Sequence, residues 1–352
     1  MRLISSLLIA FLVMGLMGCK KEDCNPPENT SSALESGFLV LNEGLFQQNN
    51  ASLTFVREDN QTIENQLFLN KNGRLLGDTG NDMEIYQNNI YIVVNASNTI
   101  EVVNKETLKS VAQISMQYQG NSISPRAIDF YNNSAFVCGF DGYVYEINLS
   151  SNQITSRFQV GNNPEDVLVV NDKLFISNSG GLNAPNYDST VFIYDILTSQ
   201  ITAKNVGANP GKLIADATGD VYVVKRGNYS SDPSSLVRLD VQNNYEPIAL
   251  NIPCTSIFLD NDVLYLGFYD FTASTSSIST FDVNTESILN ANFISSTDIL
   301  TLYGVAVKNN VVYCMDARGF TNTGVIRKFN ANGNNIGAYE VGLNPNKILF
   351  YE

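Results

Sequence analysis

The chain contains no histidine and no tryptophan among its 352 residues. Without an imidazole, the usual zinc sites, Ser-His-Asp triads, Cys-His dyads and histidine general bases are all excluded, so an enzyme built on this sequence would be a constrained one. Cations are also scarce: 21 Lys and Arg stand against 35 Asp and Glu, a formal net charge of −14. No basic cluster offsets that balance. The surface therefore repels nucleic acid and anionic lipid, and nucleic acid drops out as a partner. The five cysteines include no C-x-x-C spacing, which leaves metal or redox chemistry without support. Cys138 and Cys314 sit in apolar strand patterns and Cys254 follows Pro253 at a strand entrance, so buried free thiols are expected there. Helical periodicity sustained over ten or more residues is missing as well.

The one long apolar run, residues 7–17, follows Arg2 and closes with Leu16-Met17-Gly18-Cys19. It is too short to span a membrane comfortably and reads as a signal-peptide core. The closing tetrapeptide resembles the lipobox of bacterial lipoproteins. That resemblance implies removal of residues 1–18 as a lipoprotein signal peptide and attachment of diacylglycerol to the Cys19 thiol. Membrane contact would then run through the lipid anchor only, at about 0.8 kcal/mol per buried methylene. Losing Arg2 makes the balance −15, one cation fewer than the full chain. Residues 19–36 begin with Cys19, Lys20, Lys21, Glu22 and Asp23 and continue rich in Pro, Asn, Ser and Thr, the composition of a flexible tether. The charged cluster resembles the surface-export signal of Bacteroidota lipoproteins, a resemblance that implies a lipid-anchored location at the outer membrane, on the cell surface.

Residues 37–352 carry a repeat. Short strand patterns centred on an aromatic recur at Phe38, Tyr91, Phe136, Phe175, Tyr222, Tyr265 and Tyr313, spaced by 53, 45, 39, 47, 43 and 48 residues. Phe and Tyr make up only 10% of the chain, so an aromatic at every one of these positions is not an accident of composition. Before each from Tyr91 onward lies a run of alternating apolar residues and a tight polar turn, which with the aromatic strand read as a hairpin. A third strand stops at a turn former, Asn104, Asn148, Asp195, Asp240, Asp282 or Asn330, and a fourth leads on. The next unit often opens with a Gly-x-Asn-Pro entrance, ending at Pro164, Pro210 or Pro345, with Pro125 and Pro253 in equivalent places. Proline suits a strand's first residue, where its missing N–H removes no ladder bond.

Four antiparallel strands per unit at a period in the forties predict an all-β fold, a seven-bladed β-propeller of four-stranded antiparallel blades. The first unit starts directly with its aromatic strand at Gly37, whereas the chain finishes with a spare one at residues 346–351. The C-terminal strand is thus expected to join the first blade and close the ring, leaving no open edge.

Residues 91–104 and Thr107, beginning Tyr91-Ile92-Val93-Val94-Asn95, resemble the repeat of YVTN-type surface propellers, as do the Gly-x-x-Pro entrances. With the lipobox and Leu41-Asn42-Glu43-Gly44, the chain also resembles Bacteroidota lipoprotein propellers, among which are cobalamin-capturing partners of outer-membrane corrinoid transporters. The resemblance implies a corrinoid as ligand, a TonB-dependent outer-membrane transporter as partner and no bound cofactor.

In such a ring the turns joining strands 1–2 and 3–4 lie on one face, and the loops joining 2–3 and 4–1 on the other. The turns here are short and polar. The loops are longer and aromatic: Phe46 in the first blade; Asn183, Tyr187 and Asp188 in the fourth; Arg226 and Tyr229 in the fifth; Tyr269 and Phe271 in the sixth; Arg318 and Phe320 in the seventh; and Tyr118 in a long 4–1 loop. Exposed rings and arginines on loops favour recognition, so this face is the candidate ligand-binding site, with no catalytic residue assigned. Asp78, Asp82 and Glu84 read as a solvated turn in preference to a calcium site, while Asp216, Asp260 and Glu43 stand near inner strands where they could line the channel.

These features favour a binding module: capture of a small-molecule or glycan ligand, a corrinoid among the candidates, at the cell surface. A protein-interaction or structural role on the same face is the alternative, and a lyase- or lactonase-like enzyme working without histidine is the third.

Overall fold

The computed structural model describes residues 37–295 and 297–351. Cys19, Cys24 and the segments 1–18 and 19–36 lie outside the described residues.

Seven four-stranded antiparallel sheets form the blades of a propeller. Blade 1 is composite. Its inner strand is Pro345–Phe350, from the C-terminus, paired with Gly37–Asn42 in the register Leu39 to Leu349, Val40 to Ile348 and Leu41 to Lys347. Ser52–Arg57 and Thr62–Glu64 complete it. The inner strands of blades 2 to 7 are Gly80–Tyr86, Pro125–Tyr131, Pro164–Val170, Pro210–Ala215, Ser256–Asp260 and Leu302–Lys308. The sixth starts three residues beyond Pro253, so this proline stands before the ladder and not at its first rung.

Local chemistry explains where strands stop. The turn between the first two strands needs a left-handed residue, and Asn132, Asn171, Asn261 and Asn309 supply it with φ between 52° and 54°. Asn reaches that region at lower cost than most residues bearing a Cβ. After each third strand an Asx turn takes over. The Asn104 side-chain oxygen accepts the N–H groups of Glu106 and Thr107 at 3.1 and 3.0 Å, and Asn148 and Asp282 repeat the arrangement. Asp195, Asp240 and Asn330 accept comparable local N–H groups. Satisfying these donors from the side chain offers the backbone an alternative to continuing the ladder.

The core lies between blades. Tyr222 of blade 5 is fully buried among Ile257, Leu264, Leu266 and Phe281 of blade 6, and Phe38 meets Tyr313 of blade 7 edge-on at 5.2 Å. The recurring aromatic of the second strand is therefore a wedge against the neighbouring sheet, which is why it cannot be dispensed with in any unit. Carboxylates stitch the inner strands together. Asp82 accepts the N–H of Ile128 at 3.1 Å, Asp129 that of Val169 at 2.7 Å and Asp166 that of Leu213 at 2.8 Å, each reaching from one blade to the next.

Two features depart from the sequence expectation. A short helix, Leu67–Asn72, lies between blades 1 and 2 and accounts for the longest interval in the repeat. It has no side-chain N-cap, and is held because Leu67 and Phe68 are buried against Leu108 and the strands of blades 1 and 2; tertiary burial supplies what local propensity lacks. The loop carrying Tyr118 is a miniature hairpin, Gln117–Tyr118 paired with Asn121–Ser122.

Candidate functional site

The site begins with an irregularity. In blades 2, 3, 4, 5 and 7 the inner strand breaks register just after its first residue, and blade 1 does the same beside Pro345. A bulge at a rim re-aims a side chain. Here the displaced residues include Asn81, Arg126, Glu165, Tyr303 and Asn346, and all five line one cavity of about 1010 Å³ that joins the central channel to the loop face.

In blade 5 the corresponding residue is Gly211, and its missing side chain decides the local electrostatics. A Cβ there would lie 2.8 Å from Nε of Arg226 and 2.9 Å from its Cζ. The space is filled by that guanidinium, which reaches across to Glu165 of blade 4 at 3.1 Å. Arg126 meets the same oxygen, Oε1, at 2.7 Å and lies over the Phe140 ring at 4.5 Å. Burial alone would raise the Glu165 carboxyl, but the two guanidiniums outweigh it and hold it below the ordinary carboxylate range. Next to this trio, Tyr303 donates its hydroxyl proton to Glu43. Burial raises Glu43 and the Glu165 charge adds to the rise, against the Tyr303 hydrogen bond and the two arginines.

Aromatic rings continue from Tyr303 around the mouth. Phe320 stands 5.7 Å from Tyr303 and 6.5 Å from Tyr269; Phe271 is 4.8 Å from Tyr269, Tyr229 is 5.8 Å from Phe271 and Tyr187 is 6.3 Å from Tyr229. Every contact in this six-ring chain is edge-to-face. Such pairs contribute about 0.5–1.5 kcal/mol each beyond area burial, so the chain is ordered without being covered: Tyr229 and Phe271 remain 58% and 57% exposed.

Deeper in the channel the charges are paired. Lys347 binds Asp82 at 3.0 Å and also Glu84, and Lys212 lies 3.2 Å from Asp166. Like Glu43 and Glu165, each of these acids has a cation or hydroxyl partner. Asp78, grouped with Asp82 and Glu84 in sequence, is instead occupied by the N–H groups of Gln47 and Asn49 at 3.1 and 3.0 Å. Asp216 caps the blade 5 hairpin turn, accepting from Thr218, Gly219 and Asp220.

Of the residues singled out in the sequence, the structure gathers Tyr187, Arg226, Tyr229, Tyr269, Phe271 and Phe320 into this mouth. Tyr269 lies on the strand Val263–Asp270 and not in a loop, because blade 6 extends its hairpin; Phe271 sits on the tight turn that follows. The others stand apart from the ring chain. Phe46 is 67% exposed on blade 1. Tyr118 packs on Tyr145, with Arg157 over its ring at 4.1 Å. Asn183 belongs to a single 3-10 turn, Gly181–Asn183. Asp188 fastens its loop by accepting the N–H groups of Ser189, Thr190 and Asn162, and Arg318 faces Glu340 at 3.7 Å. Sequence reasoning missed Arg126, Glu165 and Tyr303. A usable signal existed: aligning the units on their strand-entrance prolines puts Arg126, Glu165, Gly211 and Asn346 in one column.

The chain belongs to the family described as a domain of unknown function (DUF5074), whose model matches residues 36–344. No curated protein matches it in sequence. Among solved structures it is similar to a quinonprotein alcohol dehydrogenase-like protein from Bacteroides thetaiotaomicron, at 14% identity and a TM-score of 0.67, over 90% of this chain and 78% of that one. The computationally designed Ika8 protein gives a TM-score of 0.55 at 11% identity, over 89% and 90%. Hydrazine synthase of Kuenenia stuttgartiensis gives 0.56 at 11%, over 70% and 74%. At such identities the likeness establishes the propeller fold alone.

Proposed function

We propose that the aromatic mouth over blades 4 to 7 is a recognition site for a small ligand, and that the propeller is a surface lipoprotein, anchored through Cys19, that captures this ligand for an outer-membrane transporter. The observation that carries the reading is the ring chain. Aromatic side chains half open to water, ordered by one another above a cavity of about 1010 Å³, present an apolar platform that folding alone has no reason to leave uncovered. Binding sites of about 300–1,000 Å³ are typical for drug-sized molecules, and this cavity lies at the upper end. A ligand with a broad apolar face and polar edges suits it. The lipobox and the likeness to corrinoid-capturing lipoproteins make a corrinoid the first candidate. Asp82, Glu84, Asp166 and Glu165 are held in ion pairs with Lys347, Lys212, Arg126 and Arg226, which gives these four acids a fixed framework beneath the rings.

A protein partner on the same face is the second reading, favoured by Leu182 and Phe46, which are 72% and 67% exposed. Calorimetric titration of the purified protein with cyanocobalamin distinguishes the two. Saturable one-to-one heat that Phe271→Ala weakens about tenfold, with the melting temperature unchanged, supports capture of a corrinoid. No heat at micromolar protein removes that ligand, and an equal loss of stability in Phe271→Ala reassigns the ring to folding.

A further inference from the structure

The protein is acidic overall, yet its mouth is floored by two arginines that converge on a single oxygen. Arg126 and Arg226 both bind Oε1 of Glu165, at 2.7 and 3.1 Å. One carboxylate oxygen cannot saturate two guanidiniums, each with five N–H donors in a fixed fork. The shortfall is visible: Nε of Arg126 is buried without any hydrogen-bond partner. Two separate features of the chain build this arrangement. The bulge after Pro125 turns Arg126 towards the cavity, and the absent side chain of Gly211 makes room for the guanidinium of Arg226. Gly211 has no left-handed φ to require a glycine, so its conformation alone does not explain its identity. Glu43, another carboxyl of the cavity, already accepts the Tyr303 hydroxyl.

Resting on the reading of the aromatic mouth as a ligand site, we propose that the ligand is an amphiphilic anion. Its carboxylate, phosphate or sulfonate group binds at Arg126 and Arg226 beside Glu165, and its apolar body lies on the rings of Tyr229, Tyr269, Phe271 and Phe320. Tyr303 and Phe320 are in edge contact at 5.7 Å and both line the cavity, as Arg126 and Arg226 do, so one molecule can reach the charged floor and the ring chain together. An anion placed there meets donors that are already oriented and partly dehydrated, where a charge-assisted bond is stronger than at an open surface. The paired oxygens of such a group match a guanidinium fork, which a halide cannot do.

The test uses two fluorescent probes that differ only in the head group, pyrenebutyrate and the uncharged pyrenebutanol, titrated into the purified protein by emission anisotropy. The dissociation constants are expected to favour pyrenebutyrate by at least about tenfold, the worth of a charge-assisted pair. Arg226→Gln should collapse that ratio towards one. Gly211→Ala should do the same with every charge retained, because its Cβ meets only the mobile end of Arg226, and it guards against misfolding of the arginine variant. Phe271→Ala should weaken both probes and leave their ratio intact. Equal affinity of the two probes for the wild-type protein, or a ratio unchanged in both Arg226→Gln and Gly211→Ala, overturns the anion assignment and leaves the aromatic site standing. Failure of both probes to bind, or indifference of both to Phe271→Ala, overturns the site itself.

Discussion

Asp129 tests whether the stitching between blades is built from charged or neutral carboxyls. It lies on the inner strand of blade 3, accepting the N–H of Phe130 on one oxygen and that of Val169, in blade 4, on the other, both at 2.7 Å. Two such donors favour the ionised form, but burial outweighs them and, with the Glu84 and Asp166 charges adding, pushes the carboxyl from 3.8 up to about 6. A carboxyl whose folded value is raised binds more protons in the native state than in the unfolded chain. Its contribution to stability is therefore fully present below about 3.8 and is lost as pH rises through about 6. At 1.36 kcal/mol per pH unit the full cost of ionising it in the fold is about 3 kcal/mol, of which about 1.3 kcal/mol falls between pH 5 and pH 7. Asp129→Asn cannot ionise. Its amide nitrogen would face a backbone N–H, so the variant should be less stable throughout, by about 1–3 kcal/mol. Urea unfolding of both proteins at pH 5, 6 and 7 isolates the effect from other titrating groups. The wild-type advantage should shrink by about 1.3 kcal/mol across that range. A constant advantage would mean that burial does not prevail at Asp129. In that case the two N–H donors hold it charged, because a carboxyl whose folded value lies below 3.8 has finished titrating before pH 5.

Phe38 is fully buried at the junction of blades 1 and 7, edge-on to Tyr313, Tyr339 and Phe350. Phe38→Ala should cost about 3–5 kcal/mol in urea unfolding; a loss under about 1 kcal/mol would show that the closing blade is not held by this wedge. The thiols of Cys138, Cys254 and Cys314 are buried, with burial pushing Cys254 up to about 12. Ellman's reagent at pH 8 should therefore gain three equivalents when the native protein is unfolded in guanidinium, and labelling of any of these three in the native state within minutes would contradict their inert packing.

Most of the fold was legible because each unit repeats the same local solutions. Asn at the first left-handed turn position, Asx acceptors at the end of the third strand and an aromatic wedge on the second are short-range requirements, so they recur in the sequence at the spacing of the blades. Closure was legible for a related reason: a unit that starts with its second strand leaves a sheet edge open, and the spare strand at residues 346–351 is the segment left to cover it. The helix Leu67–Asn72 was not legible, since six residues with no cap have no local signature and are stabilised only by what Leu67 and Phe68 meet in space.

The site divides along the same line. Rings on loops can be seen in a sequence because exposure of Tyr229 or Phe271 contradicts their chemistry, and five of the six members of the ring chain were found that way. Of the charged floor only Arg226 was visible, as a loop arginine; Arg126 and Glu165 were hidden, because they belong to two other blades and neither is unusual alone. What makes them a unit is a geometric event common to the inner strands, a bulge behind the first residue, and one exception to the pattern at Gly211. A propeller brings every blade's equivalent position to one axis, so a column of unrelated residues in an alignment of its own repeats becomes a ring in space. Comparing that column across the units shows which positions carry charge and which leave space. At Pro125, Pro164 and Pro210 it yields Arg, Glu and Gly in succession, and Gly211 then directs attention to the side chain that occupies its space. The inner-strand column of a repeat protein is thus where ligand chemistry is to be sought, even when conservation is unknown and the loops attract notice first.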